Sequence, residues 1–431
     1  MILKNYQYDG AHRLKQLLSS HGFAYLFDEP GVGKTAQAIE VSKSYEGRIL
    51  IVCPATLKYN WLCELVAWGF SENQVSIVPD EIKVGSKFVI VNYDQLTKFK
   101  RRILSVNWAL ILIDEAHYVK SEKAARTKAL VEILRRSHWI AITGTPLLNR
   151  PKDLIDLRAN LEKWSNKDRW SDYFYFCNAK KRRIGNKEVW DISGAGNLRR
   201  LWESKIYPVC VRRTKTEVLK ELSGVRRTFI DLENKRGDVA SEEHKQLLAE
   251  IDRIGFEEAI RKLSHLPFES EGMSFAERRQ QVALDKLPDC IAFIDNLFEQ
   301  EEKLVVFAWH RSVIDKLVEH YGEKAYRIDG TTPLAERDKI VKQFQESYAH
   351  RILIGNIKAA GVGITLHAAS HVVFVETTFV PADIEQAESR CDRLGQERLV
   401  NSYFLCQRKS IDSLILKRVL KKERTIKEVL S

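Results

Sequence analysis

The chain has little that would tie it to a membrane, an oxidising compartment or a structural metal. Its seven cysteines (Cys53, Cys63, Cys177, Cys210, Cys290, Cys391 and Cys406) are scattered and form no Cys-x-x-Cys pair. That spacing argues against a zinc framework and fits a reducing compartment. Its longer apolar runs, such as Leu304–Trp309 and the flanks of His371–Val375, fall far short of a bilayer span. The start, Met1-Ile2-Leu3-Lys4-Asn5-Tyr6, carries no apolar signal region, so export is not expected. An intracellular place is expected instead: cytoplasm or nucleoid for a prokaryotic or viral source, nucleus for a eukaryotic one. Short-period repeats and low-complexity tracts are absent as well. What is present is 44% apolar and 29% charged sequence over 431 residues, enough for sizeable cores in a soluble chain.

Charge is unevenly placed. Residues 160–230 hold 17 Lys/Arg against 8 Asp/Glu, a net +9 out of +11 for the whole chain. Trp164, Trp170, Tyr173, Phe174, Tyr175, Phe176, Trp190, Trp202 and Tyr207 interleave with that charge. Some of these aromatics must be core, because a small subdomain has to bury them. A concentrated basic excess points to a polyanion, and nucleic acid is the favoured partner.

Short apolar segments alternate with helical stretches over residues 1–160: Phe23–Phe27, Ile49–Cys53, Phe88–Val91, Leu110–Ile113 and Trp139–Thr143. That alternation predicts an α/β fold with a parallel sheet. Residues 161–230 break the pattern and read as a basic, aromatic, mostly helical insertion. Residues 231–300 read as a charged helical connector, with helices expected at Glu242–Ile251 and Leu287–Phe298. Strands return over residues 301–431, at Leu304–Phe307, Ala325–Ile328, Arg351–Gly355, Val372–Val375 and Asn401–Leu405, followed by a basic amphipathic helix from Ser410.

The first strand runs into Asp28-Glu29-Pro30-Gly31-Val32-Gly33-Lys34-Thr35. Glycines let backbone N–H groups close around phosphate oxygens, and a helix start behind them favours the anion. Lys34 is then expected on the β- and γ-phosphates of ATP, with Thr35 on Mg²⁺. Asp28 stands where the strict loop has its first glycine. Downstream, the apolar run Leu110–Ile113 ends in Asp114-Glu115, two carboxylates at the carboxyl end of a buried strand, where doubly wound sheets place ligands. Asp114 is expected to hold Mg²⁺, and Glu115 to deprotonate the attacking water.

Asp114-Glu115-Ala116-His117 resembles the box of helicase superfamily two, and Thr143-Gly144-Thr145-Pro146 is similar to its motif III. The wider set resembles the Swi/Snf family of DNA translocases. Tyr6-Gln7 resembles the family's adenine-reading motif, and Val52-Cys53-Pro54-Ala55-Thr56-Leu57 with Asn60-Trp61 is similar to motif Ia. Val211-Arg212-Arg213-Thr214-Lys215 with Glu217-Val218 is similar to the signature closing the first-lobe insertion. Arg327-Ile328-Asp329-Gly330-Thr331 through Arg337 resembles part of motif IV, and Ala359-Ala360-Gly361-Val362-Gly363-Ile364 resembles motif V. Gln386-Ala387-Glu388-Ser389-Arg390-Cys391-Asp392-Arg393 with Gly395-Gln396 resembles motif VI. Segments 114–126, 144–154, 175–178 and 307–313 resemble the HARP-type annealing helicases within that family. Two departures stand out: Pro30 replaces an apolar residue, and Leu222-Ser223-Gly224-Val225 replaces Leu-Pro-x-Lys.

The resemblance implies two RecA-like lobes with parallel sheets and a basic helical insertion on the first. It implies an ATP site made of Gln7, Asp28, Glu29, Pro30, Gly31, Val32, Gly33, Lys34, Thr35, Gly363 and Gln386. Lys34, Asp114, Glu115, Arg390 and Arg393 would be catalytic. The two arginines, three apart on an expected helix, would share one face and act as arginine fingers. His117, Thr143, Gly144 and Thr145 would couple hydrolysis to movement. DNA contacts, to the backbone rather than the bases, are expected at Thr56, Lys58, Asn149, Arg150, Arg182, Arg183, Arg311, Gly330 and Lys358; Arg199 and Arg200 of the insertion are further candidates. The implied function is an ATP-dependent translocase, acting as a monomer on duplex or branched DNA and not at membranes. The alternatives are a strand-separating helicase of the same superfamily and, from another class, a nonhydrolysing DNA-binding scaffold. A nucleosome-remodelling motor is disfavoured, because no histone-reading module is present.

Overall fold

The computed structural model describes residues 2–80, 82–83, 85–147, 150–184, 187–222, 224–233, 274–347, 349, 351–360, 364–393 and 395–430. Asn149, Gly363 and the expected helix Glu242–Ile251 lie outside the described residues. The chain divides into two compact units, Met1–Leu219 with Thr425–Ser431, and Lys220–Arg424.

The first unit is built on strands β1 (Phe23–Leu26), β2 (Arg48–Cys53), β3 (Val75–Ile77), β4 (Phe88–Asn92), β5 (Trp108–Asp114), β6 (His138–Ile142) and β9 (Cys210–Val211). They form one sheet in the order β3-β4-β2-β5-β6-β1-β9, and every pairing is parallel. Alternate residues of the central strands enter opposite cores: Leu50, Val52, Ile111 and Ile113 one, Ile49, Ile51, Leu110 and Leu112 the other. Both faces are therefore covered, which is why these strands read as unbroken apolar runs. The expected strands are all present to within about two residues, with β3 and β9 in addition.

After helix Pro151–Leu161, the insertion contains helix Asn166–Phe176, then an antiparallel hairpin of β7 (Lys180–Ile184) and β8 (Lys187–Asp191), then a helical segment from Leu198 to Ile206. It is helical as expected, and the hairpin is an addition to that expectation. Its sequence, with Gly185-Asn186 between two short arms, carries an ordinary hairpin signal. The run of four cations masks that signal by removing the apolar alternation a strand usually shows. Tyr173, Phe176 and Trp202 join the core of the first unit, whereas Phe174, Tyr175, Trp190 and Tyr207 stay exposed.

The second unit has a six-stranded parallel sheet of β10 (Val225–Leu232), β11 (Lys303–Ala308), β12 (Ala325–Ile328), β13 (Arg351–Asn356), β14 (His371–Phe374) and β15 (Val400–Gln407). Its order is β10-β15-β14-β11-β13-β12. Val305 and Phe307 face one core, Leu304, Val306 and Ala308 the other. Strand β10 pairs with β15 over eight residues but is nowhere fully buried. Its charged edge hides it from a reading of apolar runs. The two units are thus RecA-like α/β lobes, each a parallel sheet between helical layers.

Candidate active site

Strand order assembles the first-unit site. Because β5, β6 and β1 are consecutive in the sheet, the segments leaving their carboxyl ends emerge side by side. These are Asp114-Glu115 from β5, Thr143-Gly144-Thr145 from β6, and the loop before Lys34 from β1.

The loop opens into helix Lys34–Ser42, with Gly33 as its N-cap in the left-handed region at φ 88°. A side chain at residue 33 would also meet Gln7 Nε2 at 2.2 Å, so glycine is required on two counts. Gln7 donates to the Val32 carbonyl at 3.2 Å, and the Tyr6 hydroxyl donates to the same oxygen at 3.1 Å. The helix Asn5–His21 is thereby pinned beside the loop. Lys34 Nζ donates to the carbonyls of Asp28 and Glu29, at 2.9 and 3.1 Å. Gly144 passes so close that a Cβ there would lie 2.9 Å from Lys34 Nζ and 2.8 Å from Pro30 Cγ.

Asp114 is held from three sides. Trp61 Nε1 donates to one carboxylate oxygen at 2.8 Å, the Glu115 amide to the other at 2.9 Å, and Tyr93 Oη to the Asp114 carbonyl at 2.6 Å. Burial, and then the neighbouring Glu115 carboxylate, push the Asp114 carboxyl up to about 6, against the opposing pull of Trp61, the Glu115 amide and Lys34. A buried carboxylate beside a second one suits a divalent cation. Among the described residues no cluster of three or more His, Cys, Asp or Glu side chains could hold a metal. A cation here would draw on Asp114, the Thr35 hydroxyl, water and phosphate.

Glu115 sits at φ 49°, a left-handed conformation that a non-glycine residue adopts at a cost. Its Oε2 accepts from the Thr143 hydroxyl at 3.2 Å and lies 3.3 Å from His117 Nδ1. His117 Nδ1 is in turn 3.2 Å from Thr143 Oγ1, which also accepts from the Thr145 amide at 3.2 Å. Of the four residues expected to couple hydrolysis to movement, His117 and Thr143 thus meet one carboxylate oxygen, Thr145 bonds Thr143, and Gly144 abuts Lys34.

Asp28 and Glu29 take part differently from the expectation. Asp28 is fully buried, and its carboxylate binds Arg213 through Nε at 3.1 Å and Gln37 Nε2 at 2.8 Å. Arg213 also reaches the Tyr6 carbonyl and Gln37 Oε1. Glu29 accepts from the Lys215 amide at 2.8 Å, and Arg212 donates to the Phe27 carbonyl at 2.9 Å. Both acidic side chains thus fasten the end of the insertion to the loop, leaving their carbonyls to Lys34. Local motifs single out Trp61 and Arg213 but not the partners they hold, and Tyr93 lies in no motif at all.

In the second unit, helix Pro381–Glu388 ends before Arg390, which corrects the expectation that Arg390 and Arg393 share a helical face. The Ser389 hydroxyl bonds the Glu385 and Gln386 carbonyls, and the following amides fall into short turns, Arg390 to Ala387 and Arg393 to Cys391. Gln386 is buried on the helix, and Arg393 donates to Thr365 Oγ1 at 3.0 Å. Glu388 is buried and bound through both oxygens by Arg227, at 2.8 and 2.6 Å. Glu376 accepts the Trp309 and His310 amides, each at 2.9 Å, and His310 Nδ1 at 2.6 Å.

The residues expected on DNA are scattered in character. Lys58 is turned inward, donating to the Val78 carbonyl at 3.1 Å, and Thr56 and Arg150 are half-buried. Arg182, Arg183, Arg199, Arg200, Arg311, Gly330 and Lys358 are exposed, with Lys358 Nζ 5.3 Å from the Trp309 ring.

Residues 6–238 match the SNF2-related domain, and residues 284–395 match the helicase conserved C-terminal domain. The chain is similar to the DNA annealing helicase and endonuclease ZRANB3 of Mus musculus, at 33% identity over 422 residues covering 92% of this chain and 38% of that protein. It is similar as well to the SWI/SNF-related matrix-associated actin-dependent regulator of chromatin subfamily A-like protein 1 of Xenopus laevis, at 29% identity covering 95% of this chain and 42% of the relative. The SWI2/SNF2 ATPase core of Sulfolobus solfataricus, solved in complex with dsDNA, aligns with a TM-score of 0.47 and 21% identity over 100% of this chain and 94% of that one. The chain spans about two fifths of the length of the curated relatives it matches. With the SNF2-related domain covering more than half of it, the chain belongs to the SNF2 family.

Proposed function

We propose that the chain is a DNA-stimulated ATPase that converts hydrolysis into movement along duplex or branched DNA. One observation carries the reading: the loop of Lys34, the Asp114-Glu115 pair and the Thr143–Thr145 segment share one sheet edge, with Glu115 bonded to Thr143 and Gly144 against Lys34. Phosphates would take the Lys34 ammonium from the Asp28 and Glu29 carbonyls and lie on the amides that open helix Lys34–Ser42. Gln7 would read the base, held in place by Lys4 and Val32. Asp114 and Thr35 fit a magnesium ion, which when bound would neutralise developing phosphate charge. Glu115 would accept the proton of the attacking water, with Thr143 and His117 fixing its oxygen. Arg390 and Arg393 are assigned to the same hydrolysis as sources of positive charge.

A partner of polyanionic backbone is supported by the +9 of residues 160–230 and by the relatives, one of which bears the name of a DNA annealing helicase. The test is the ATP hydrolysis rate measured with single-stranded, duplex, forked and four-way DNA and with RNA. Strong stimulation by duplex or branched DNA is expected; equal turnover with and without nucleic acid would sink the proposal. Triplex displacement without separation of the duplex strands is expected, which distinguishes translocation from unwinding.

A further inference from the structure

The insertion carries an aromatic and cationic surface that the ATP site does not use. Trp190 on β8 packs against Trp170 and Phe174 of helix Asn166–Phe176, with ring centroids 5.2 Å apart in both pairs. Even so, Phe174 remains 49% and Trp190 39% exposed. Large apolar rings left this open beside a core that buries Tyr173 and Phe176 need a reason.

Charge supplies the direction. Lys181 stands directly opposite Trp190 in the hairpin register, with its Nζ 5.9 Å from the ring. Arg183, two residues on, shares that face, because side chains alternate along a strand. Lys180 and Arg182 edge the other face. Lys181 is paired with Glu188 at 3.0 Å, and the Asp191 carboxylate accepts from Ser193. Arg182 and Arg183 are exposed and form no ion pair among the described residues. An apolar protein partner would gain nothing from this crowd of cations. Unpaired nucleic acid uses both parts: bases stack on ring faces while the backbone follows the positive edge.

We propose that helix Asn166–Phe176 and the β7–β8 hairpin form a platform for unpaired DNA, with Phe174 and Trp190 as stacking faces and Arg182 and Arg183 as phosphate contacts. The inference rests on the reading of the chain as a DNA motor and adds to it a site for the single-stranded arm of a fork. Backbone tracking on a duplex needs no exposed rings.

The test is binding of labelled oligothymidine and of a blunt duplex by fluorescence anisotropy, with the whole chain. Phe174→Ala and Trp190→Ala are expected to weaken oligothymidine binding about tenfold each while leaving the duplex nearly unchanged. Trp190→Phe keeps a stacking face, so it should retain affinity and lose part of the tryptophan quenching expected when oligothymidine binds. Arg182→Ala with Arg183→Ala should lower the salt dependence of oligothymidine binding, by roughly 0.7 in log–log slope for each phosphate no longer neutralised. Unchanged oligothymidine affinity in Phe174→Ala, or loss of affinity in Trp190→Phe equal to that in Trp190→Ala, would overturn the platform. ATP hydrolysis stimulated by blunt duplex is measured alongside. Its absence would count against the motor itself, whereas its presence without an aromatic effect would count against the platform alone.

Discussion

Arg213 and Asp28 lie 185 positions apart and meet in the interior, where the guanidinium binds a carboxylate with no exposure to water. The residue that closes the insertion is therefore fixed to the first residue of the phosphate loop. Gln37 and the Tyr6 carbonyl complete the arrangement.

Removing Arg213 leaves Asp28 charged and buried. Arg213→Ala is expected to destabilise the first unit by about 3–5 kcal/mol, the range for breaking a buried pair. Adding Asp28→Asn should recover part of that loss, read as a rise in the urea midpoint of the double variant over Arg213→Ala. A double variant no more stable than Arg213→Ala would show that the pair is not what holds these segments.

Asp114 predicts a proton-linked binding step. Its carboxyl is raised to about 6 by burial and Glu115, above the ordinary 3.8, so the folded chain favours the protonated form. Stability from this group is present below the ordinary value and falls as pH climbs to about 6. A magnesium nucleotide would favour the ionised form, so binding near pH 6 should release protons. Calorimetry in buffers of different ionisation heat would detect the release, and Asp114→Asn should abolish it. Proton uptake instead would contradict the assignment.

Glu376 behaves in the opposite sense. Burial alone would raise its carboxyl, but His310, Arg279 and backbone amides outweigh it and hold the group down at about 2. Its contribution is present above the usual carboxylate value and is lost as pH falls from about 4.5 towards 2. Glu376→Gln should lower stability at neutral pH by about 2–3 kcal/mol and flatten the acid side of the profile. An acid profile identical to that of the parent chain would refute this.

Glu115→Gln should reduce hydrolysis at least a hundredfold while leaving nucleotide binding intact, as expected for loss of a general base. Thr143→Val removes the hydroxyl that bonds Glu115 and receives the Thr145 amide. A loss of about tenfold in turnover with little change in nucleotide affinity is expected for a positioning residue of this kind. Equal effects on affinity and turnover would argue that Thr143 merely supports the loop.

What is legible in the sequence is local. Gly31, Gly33, Lys34 and Thr35 are adjacent, and the run Leu110–Ile113 announces its own burial, so loop and strand end can be found by pattern. The pairings that tune them cannot, even where the residue itself lies in a motif, because Trp61 reaches Asp114 across 53 positions and Arg213 reaches Asp28 across 185. Helix periodicity also carries the Arg390–Arg393 expectation past Glu388, where the Ser389 hydroxyl competes for helical carbonyls. The hairpin at Lys180–Asp191 escapes because its strands are written in cations, and pairing there does not depend on an apolar face.

Gly144 leaves less than a methyl group's room between the segment after β6 and the pair Pro30 and Lys34. Neither side can be displaced towards the other without pushing it. A phosphate that drew Lys34 off its carbonyls would remove the Lys34 side of that contact, while Pro30 would still border Gly144. A filled loop would then be felt beside Thr143, which bonds Glu115, as a change of available space. Such a message does not weaken with added salt, unlike one sent through charge.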